Sequence, residues 1–336
     1  MIVRCLLMDI SAYFQKCRDS AYCKETNRFL LSRISSSAQE KDLTNSPNCK
    51  GFGRIRHFKR YIAEDWGKDP LPIDPAVKAL NLSLTDTIEA QVFQIASCNV
   101  HCWYCFVPDA LKCCDSNMSC WFSANDMVEL YINDNNNLRV IDLSGGNPEL
   151  VPEWVVFTMK ELQKHKLDET IYLWSDDTLT TDYTFRYLSS DDLSYMKSYK
   201  NYGKVCCFKG FDHDSFTFNT GLPSKYYELQ FDNFSKYLEL KLDLYGYVTF
   251  TTNNINDLEG KVTTFISKLR SIHPLLPLRI VPLKIILFSV VKSRLKSEFN
   301  IAIQNQVKVH TEWSNQLKRI YEPELLSSCI CDISLS

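Results

Sequence analysis

Residues 96–106, ASCNVHCWYCF, bring Cys98, Cys102 and Cys105 within eight positions of one another, with an aromatic just before the last. Thiolates are soft ligands, and three at the spacing C-x3-C-x2-C fall one short of a closed zinc site or a four-cysteine iron–sulfur cluster. His101 can supply a fourth ligand to zinc. Alternatively, the three thiolates hold a 4Fe–4S cluster whose fourth iron stays open to an exogenous ligand. The third alternative is structural, three small hydrophobic side chains packed in a core.

Chemistry of either metal kind needs a rigid frame, and the sequence from about residue 90 supplies one. Short apolar or β-branched runs alternate with amphipathic stretches of ten to twenty residues, the rhythm of parallel β/α units. Six strands are expected, at 90–96, 138–144, 170–175, 204–210, 242–252 and 278–283. Between them lie helices. Ser123 and Asp126 form a capping-box spacing ahead of Met127, Leu130 and Tyr131, and Pro152 opens a helix carrying Val155, Met159 and Leu162. Further helices are expected within 182–200, near 224–241, and after Asn256, which with Glu259 repeats the capping spacing. A last helix lies between 296 and 320. Six such units with right-handed crossovers curl into a partial (β/α)6 TIM-like barrel whose reactive face lies at the carboxyl ends of the strands.

That geometry gathers the unusual residues on one rim. The cysteine triplet follows the first strand, Gly145 and Gly146 the second, Ser175, Asp176 and Asp177 the third, and Lys209 closes the fourth. The paired glycines let the backbone take positive φ and approach a ligand closely, and Pro148 stiffens the turn. Ser175 and Asp177 are candidates for binding ribose hydroxyls or a polar substrate group, or else they cap a loop. Lys209 can pair with a carboxylate or phosphate, or snorkel from the barrel mouth. Cys206 and Cys207 alternate faces in their strand, so one points inward, as a core filler or as a hydrogen-atom donor.

The 336 residues suit one large domain or two of ordinary size, and a formal charge of −2 argues neither for nucleic acid nor for a solvating acidic tail. Residues 1–88, Ser-rich and then basic around Lys50, Arg54, Arg56, Lys59 and Arg60, are expected as an N-terminal extension with a loop near 33–53; the basic cluster can touch phosphates of a substrate, but a solvated face or a set of local salt bridges is the preferred reading, as for most surface charge runs. The barrel core spans 89–285, and 286–336 form a helical segment that closes it. Asp9 interrupts the apolar opening, so no secretory signal is expected, and the run LPLRIVPLKIILFSVV is broken by Arg279, Lys284 and two prolines, so no membrane span is expected. A cytoplasmic, reducing location follows as the expectation, in which the fourteen cysteines are ligands or core residues and not bridges. The aromatics of SKYYELQFDNFSKYLELKLDLYGY suit barrel packing, so nucleic acid is not indicated.

CNVHCWYC, with DLSGGNPEL about forty residues on, resembles the cluster and glycine-turn motifs of the radical S-adenosylmethionine (radical SAM) superfamily. The resemblance covers roughly residues 90–285 and implies a function. Cys98, Cys102 and Cys105 would hold one 4Fe–4S cluster, SAM would chelate the open iron, and reductive cleavage would yield a 5′-deoxyadenosyl radical that abstracts hydrogen from a substrate. Gly145, Gly146, Asn147 and Pro148 would hold the methionine end of SAM, although Asn147 stands where glutamate is frequent. Tyr104 would lie beside the adenine, and Ser175, Asp177 and Lys209 would contact SAM or substrate. An electron donor such as flavodoxin or ferredoxin is implied, with a small-molecule or peptide substrate; nucleoside chemistry and glycyl-radical activation also stay open. The other class of function is a zinc-stabilised β/α scaffold or binding protein that uses the same cysteines with His101. A third is a nucleotide-binding regulator that keeps the cluster but turns over little SAM.

Overall fold

The computed structural model describes residues 9–335; the apolar opening over 1–8 lies outside the described residues. Among the described residues ten strands occur in chain order: β1 Tyr22–Cys23, β2 Arg28–Ser32, β3 Gly53–Lys59, β4 Thr87–Phe93, β5 Ser119–Phe122, β6 Val140–Leu143, β7 Tyr172–Asp177, β8 Tyr202–Phe208, β9 Leu244–Thr249 and β10 Ile280–Leu283. Seven of them form one curled sheet in the order β10-β9-β8-β7-β6-β4-β3, and β1, β2 and β5 form a small antiparallel sheet beside it. From β4 to β10 all neighbours in this sheet are parallel and, with β5 set aside in the small sheet, follow chain order, with helices in the crossovers. This is the expected partial (β/α)6 barrel.

Four strands were not anticipated, the three of the small sheet and β3 of the large one. β3 pairs antiparallel with β4, Arg54 opposite Val92 and Arg56 opposite Ala90, and so adds a seventh strand at the edge. Its inward face carries Arg54, Arg56 and Phe58. Two arginines stand where a core strand normally shows aliphatic residues, and the period-two apolar signal is lost.

The helix starts follow local chemistry. At Ser123 the capping box forms in both directions, Asp126 N–H to Ser123 Oγ at 3.1 Å and Ser123 N–H to Asp126 Oδ2 at 2.9 Å. The cap expected at Asn256 does not form. That helix runs Leu258–Ile272, preceded by Asp257 in a left-handed conformation (φ 51°), while Asn256 N–H donates to Asn254 Oδ1 in a turn of its own. The last long helix, Ser297–Ile320, falls where expected. Among the described residues no helix is long and apolar enough to cross a membrane.

Side chains alternate across the sheet and divide the core in two. The convex face, with Leu173, Cys206, Phe208 and Val248, packs beneath helices through Trp154, Phe234 and Phe265. The concave face carries Val140, Tyr172, Trp174, Val205, Cys207, Tyr245 and Tyr247, closed below by Ile73, Ala76 and Val77 of the helix Ile73–Ala79 and by Ile330 and Cys331. Each such fully buried large side chain contributes about 1.5–3 kcal/mol. Climbing the same concave rows towards the carboxyl ends, polarity rises. Val140 gives way to Asp142 and Ser144, Trp174 to Asp176, Cys207 to Lys209, and Tyr247 to Thr249. The barrel therefore has an apolar floor and a polar mouth.

The segments at either end reach the mouth. From the helix Ile10–Asp19, buried Arg18 grips Glu153 and donates to Leu150 O at 2.8 Å, fixing this helix to the chain after β6. From the other end, Arg294 Nη1 donates to Cys105 O at 2.8 Å.

Candidate functional site at the barrel mouth

The chain leaves β4 at Phe93 and forms a loop that returns along itself before β5. Cys98 N–H donates to Lys112 O at 3.1 Å, Cys114 N–H to Ala96 O at 2.7 Å, and Ser97 bridges Cys113. A tight turn then closes with Cys105 N–H to Cys102 O at 3.1 Å. The aromatic residues of the loop are anchored from across the mouth. Trp103 Nε1 donates to Asn219 Oδ1 at 3.0 Å and its ring stacks on Phe299 at 4.5 Å, while Tyr104 OH meets Thr249 Oγ1, at the end of β9, at 3.1 Å. Among the described residues no cysteine forms a disulfide.

The three thiols of the loop lie within electrostatic reach of one another and of Lys112. Burial pushes the Cys98 thiol up to about 12, with Lys112 opposing and Cys105 and Cys102 adding to the rise, and burial likewise raises Cys102. Lys112 is itself buried, with its ammonium 3.2 Å from Asp109. Three thiols so placed cannot ionise together unless a cationic centre offsets them, which is the donor chemistry of a metal or cluster site. Among the described residues no group of three or more His, Cys, Asp or Glu side chains is disposed to hold a single metal ion. His101, the fourth ligand that a zinc site needs, is engaged elsewhere: its Nε2 lies 3.0 Å from Tyr13 OH and its ring stacks on that tyrosine.

The glycine turn after β6 is built against this loop. Gly145 and Gly146 both take positive φ, 99° and 68°. A Cβ on Gly146 would stand 2.2 Å from Ile95 O and 2.5 Å from Ser97 O, so the close approach here is to the protein's own backbone at the foot of the cysteine loop. Asn147 completes the join, its N–H donating to Ser97 O at 2.8 Å and its Nδ2 to Asn99 Oδ1 at 2.7 Å. Pro148 begins the single turn that follows. Gly146→Ala is accordingly expected to cost about 2–6 kcal/mol, backbone strain and steric overlap combined, read as a lower midpoint in urea unfolding.

Lys209 lies at the end of β8 on the concave side. Burial opposes its charge, but Cys207, Tyr104, Cys102 and Asp176 around it hold the ammonium well above its usual range. Cys207 is the inward member of its pair and Cys206 the outward one.

Ser175 and Asp177 are not brought to the mouth. Both lie on the convex face, where Ser175 Oγ meets Tyr202 OH at 2.8 Å and Asp177 pairs with Lys204 at 3.1 Å and caps Leu179 N–H at 2.6 Å. β7 keeps its two-residue alternation through Asp177, which turns Asp176 inward and its two neighbours outward. Two further residues of the mouth, Lys112 and Asp142, carried no expectation as ligand contacts, while Arg54 and Arg56 belong to the basic cluster for which contact with substrate phosphates is one of the two readings. An acid inside the strand VIDL was the available signal for Asp142, since a charge amid aliphatic residues is retained in a strand only where something pairs with it.

No family model matches the sequence, and no curated protein matches it. Among solved structures, SuiB of Streptococcus suis bound to the precursor peptide SuiA aligns over 53% of this chain and 36% of its own, with 12% identity and a TM-score of 0.38. Native anSMEcpe with bound AdoMet and Cp18Cys peptide aligns over 68% of this chain and 58% of its own, with 16% identity and a TM-score of 0.44. These likenesses are partial. The chain spans less than two thirds of either protein.

Proposed function

We propose that this chain is a radical SAM enzyme that acts in a reducing, cytoplasmic setting, receives electrons from a donor such as flavodoxin or ferredoxin, and abstracts hydrogen from a peptide, nucleoside or small metabolite. One observation carries the reading. A loop of three free, mutually interacting thiols stands at the carboxyl rim of a half-barrel and is joined through Ser97, Asn99 and Asn147 to a turn of two positive-φ glycines.

The residues present fit a three-thiolate 4Fe–4S cluster. Such a cluster seats each sulfur on a different iron, so the thiolates need to face a common volume without meeting at one point. When bound, cluster and SAM supply the reductive cleavage that generates a 5′-deoxyadenosyl radical. The chain does the rest. Lys112 offsets thiolate charge inside the loop; Trp103, Tyr104 and Phe299 exclude water from one side of it; the turn at Gly145 and Gly146 offers main-chain groups beside it. Lys209 presents a cation to the interior. The zinc reading is weakened by His101, which is committed to Tyr13.

Anaerobic reconstitution with iron and sulfide tests the assignment. The expected product is a brown protein with broad visible absorption that, once reduced, converts SAM to 5′-deoxyadenosine. A colourless protein with stoichiometric zinc, or an iron-loaded and reduced one that leaves SAM intact, overturns it.

A further inference from the structure

β3, the strand added at the sheet edge, turns Arg54 and Arg56 into the concave mouth. Their situations differ. Arg56 is paired with Asp142 Oδ2 at 3.2 Å and covers the Phe58 ring at 4.0 Å. Asp176, the other inward carboxylate nearby, accepts from the Ser144 hydroxyl. Arg54 is only 4% exposed, yet its Nε and Nη2 have no hydrogen-bond partner. The guanidinium lies over the ring of Phe106 at 5.3 Å, next along the chain from Cys105. Asp142 Oδ1 is likewise buried and without a partner. A buried cation with donors unspent is costly to a fold, and a group retained in that state calls for something that completes or uses it, a bound ion or a functional role among them.

The geometry points to Arg54 as the anchor for an oxyanion of the substrate, a carboxylate or phosphate, with a neighbouring N–H or O–H of the same molecule received by Asp142 Oδ1. The planar guanidinium fork suits two-point binding of such a group, and its ring contact with Phe106 holds the plane in place. Seated there, the substrate lies beside Phe106, which follows Cys105 in the chain. Binding at Arg54 requires no cluster; only what then happens to the bound molecule rests on the radical SAM reading.

The test uses the full chain in buffer free of other oxyanions, with inorganic phosphate and glutarate as probes and SAM as a separate arm. Calorimetric titration of the wild type is expected to show binding of at least one probe, and Arg54→Gln to weaken it about tenfold or more while leaving SAM affinity of the reconstituted protein within about twofold. Arg54→Lys keeps the charge without the fork and is expected to weaken the probe by a similar direction and a smaller factor, which serves should the glutamine variant not fold. Wild-type affinity for the probe in either variant overturns the proposal, as does a wild type that binds neither probe. A parallel loss of SAM affinity also overturns it, because the anchored oxyanion would then be the SAM carboxylate. A wild type that binds the probe but takes up no iron removes the radical chemistry and leaves the anion site standing.

Discussion

Exchanging any one of Cys98, Cys102 and Cys105 for alanine is expected to abolish iron retention and SAM cleavage, while the exchange of Cys120 for alanine changes neither. The asymmetry follows from position. The three loop cysteines share one electrostatic neighbourhood with Lys112 at the rim of the parallel sheet, whereas Cys120 is exposed on β5 of the separate small sheet. A cluster held by three thiolates has no ligand to spare, so loss of one removes the cofactor instead of reducing its affinity by a small factor. The fold itself should persist, because the loop is pinned by main-chain hydrogen bonds at Ala96, Cys98 and Cys102 that an alanine leaves intact. Iron per chain, visible absorption and 5′-deoxyadenosine formation, measured beside far-UV circular dichroism, check all parts. A Cys102→Ala protein that still carried a full cluster and cleaved SAM would detach the chemistry from this loop.

Much of the frame was legible because its signals are local. The short apolar runs of β6 and β8, the stripe Val262, Phe265, Ile266 and Leu269, and the Ser123–Asp126 box each depend on neighbours in sequence, and each lies where the pattern puts it. Direction was harder. Which of Ser175, Asp176 and Asp177 faces the mouth depends on whether β7 continues past Trp174, and the strand does continue, so the inward residue is Asp176. The N-terminal arginines were harder still. Arg54 and Arg56 read by preference as a solvated basic face, with substrate-phosphate contact as the alternative, since nothing near them in sequence indicates that β3 lies against β4 with Asp142 one strand further in. Arg56 is held by a contact made 86 residues apart, at a distance that local patterning does not register. Asn256 failed for the opposite reason, a local one. Asp257 takes a left-handed conformation and moves the helix start, which a spacing rule cannot anticipate.

The outward residues of the same strands yield a further large expected loss of stability, on replacing Lys204 by methionine. Lys204 Nζ lies 3.1 Å from Asp177 and 3.3 Å from Glu149, with all three side chains almost wholly buried under the helices, and the ammonium stands 4.6 Å above the Tyr237 ring. Removal of the cation leaves two carboxylates facing each other without water, a loss of about 3–5 kcal/mol. The pH dependence has a definite sign. Burial, and then Asp177, push Glu149 up to about 7 from its ordinary 4.5 even with Lys204 present, so the folded chain holds this proton more tightly than the unfolded one. Stability from this group therefore falls as pH rises from about 4.5 to about 7. Without Lys204 the proton is held more tightly still, so the gap between wild type and Lys204→Met should be small near pH 5 and widen towards pH 8. Urea unfolding at the two pH values reads that gap, and adding Glu149→Gln to Lys204→Met should recover part of it by removing one of the stranded charges. A gap independent of pH, or no recovery in the double variant, would show that Lys204 acts through packing alone. Because Asp177 adjoins inward Asp176 and Glu149 lies three residues beyond Gly146, the same network fixes the outer side of the mouth, and a chain that loses it should bind SAM less tightly even where it still folds.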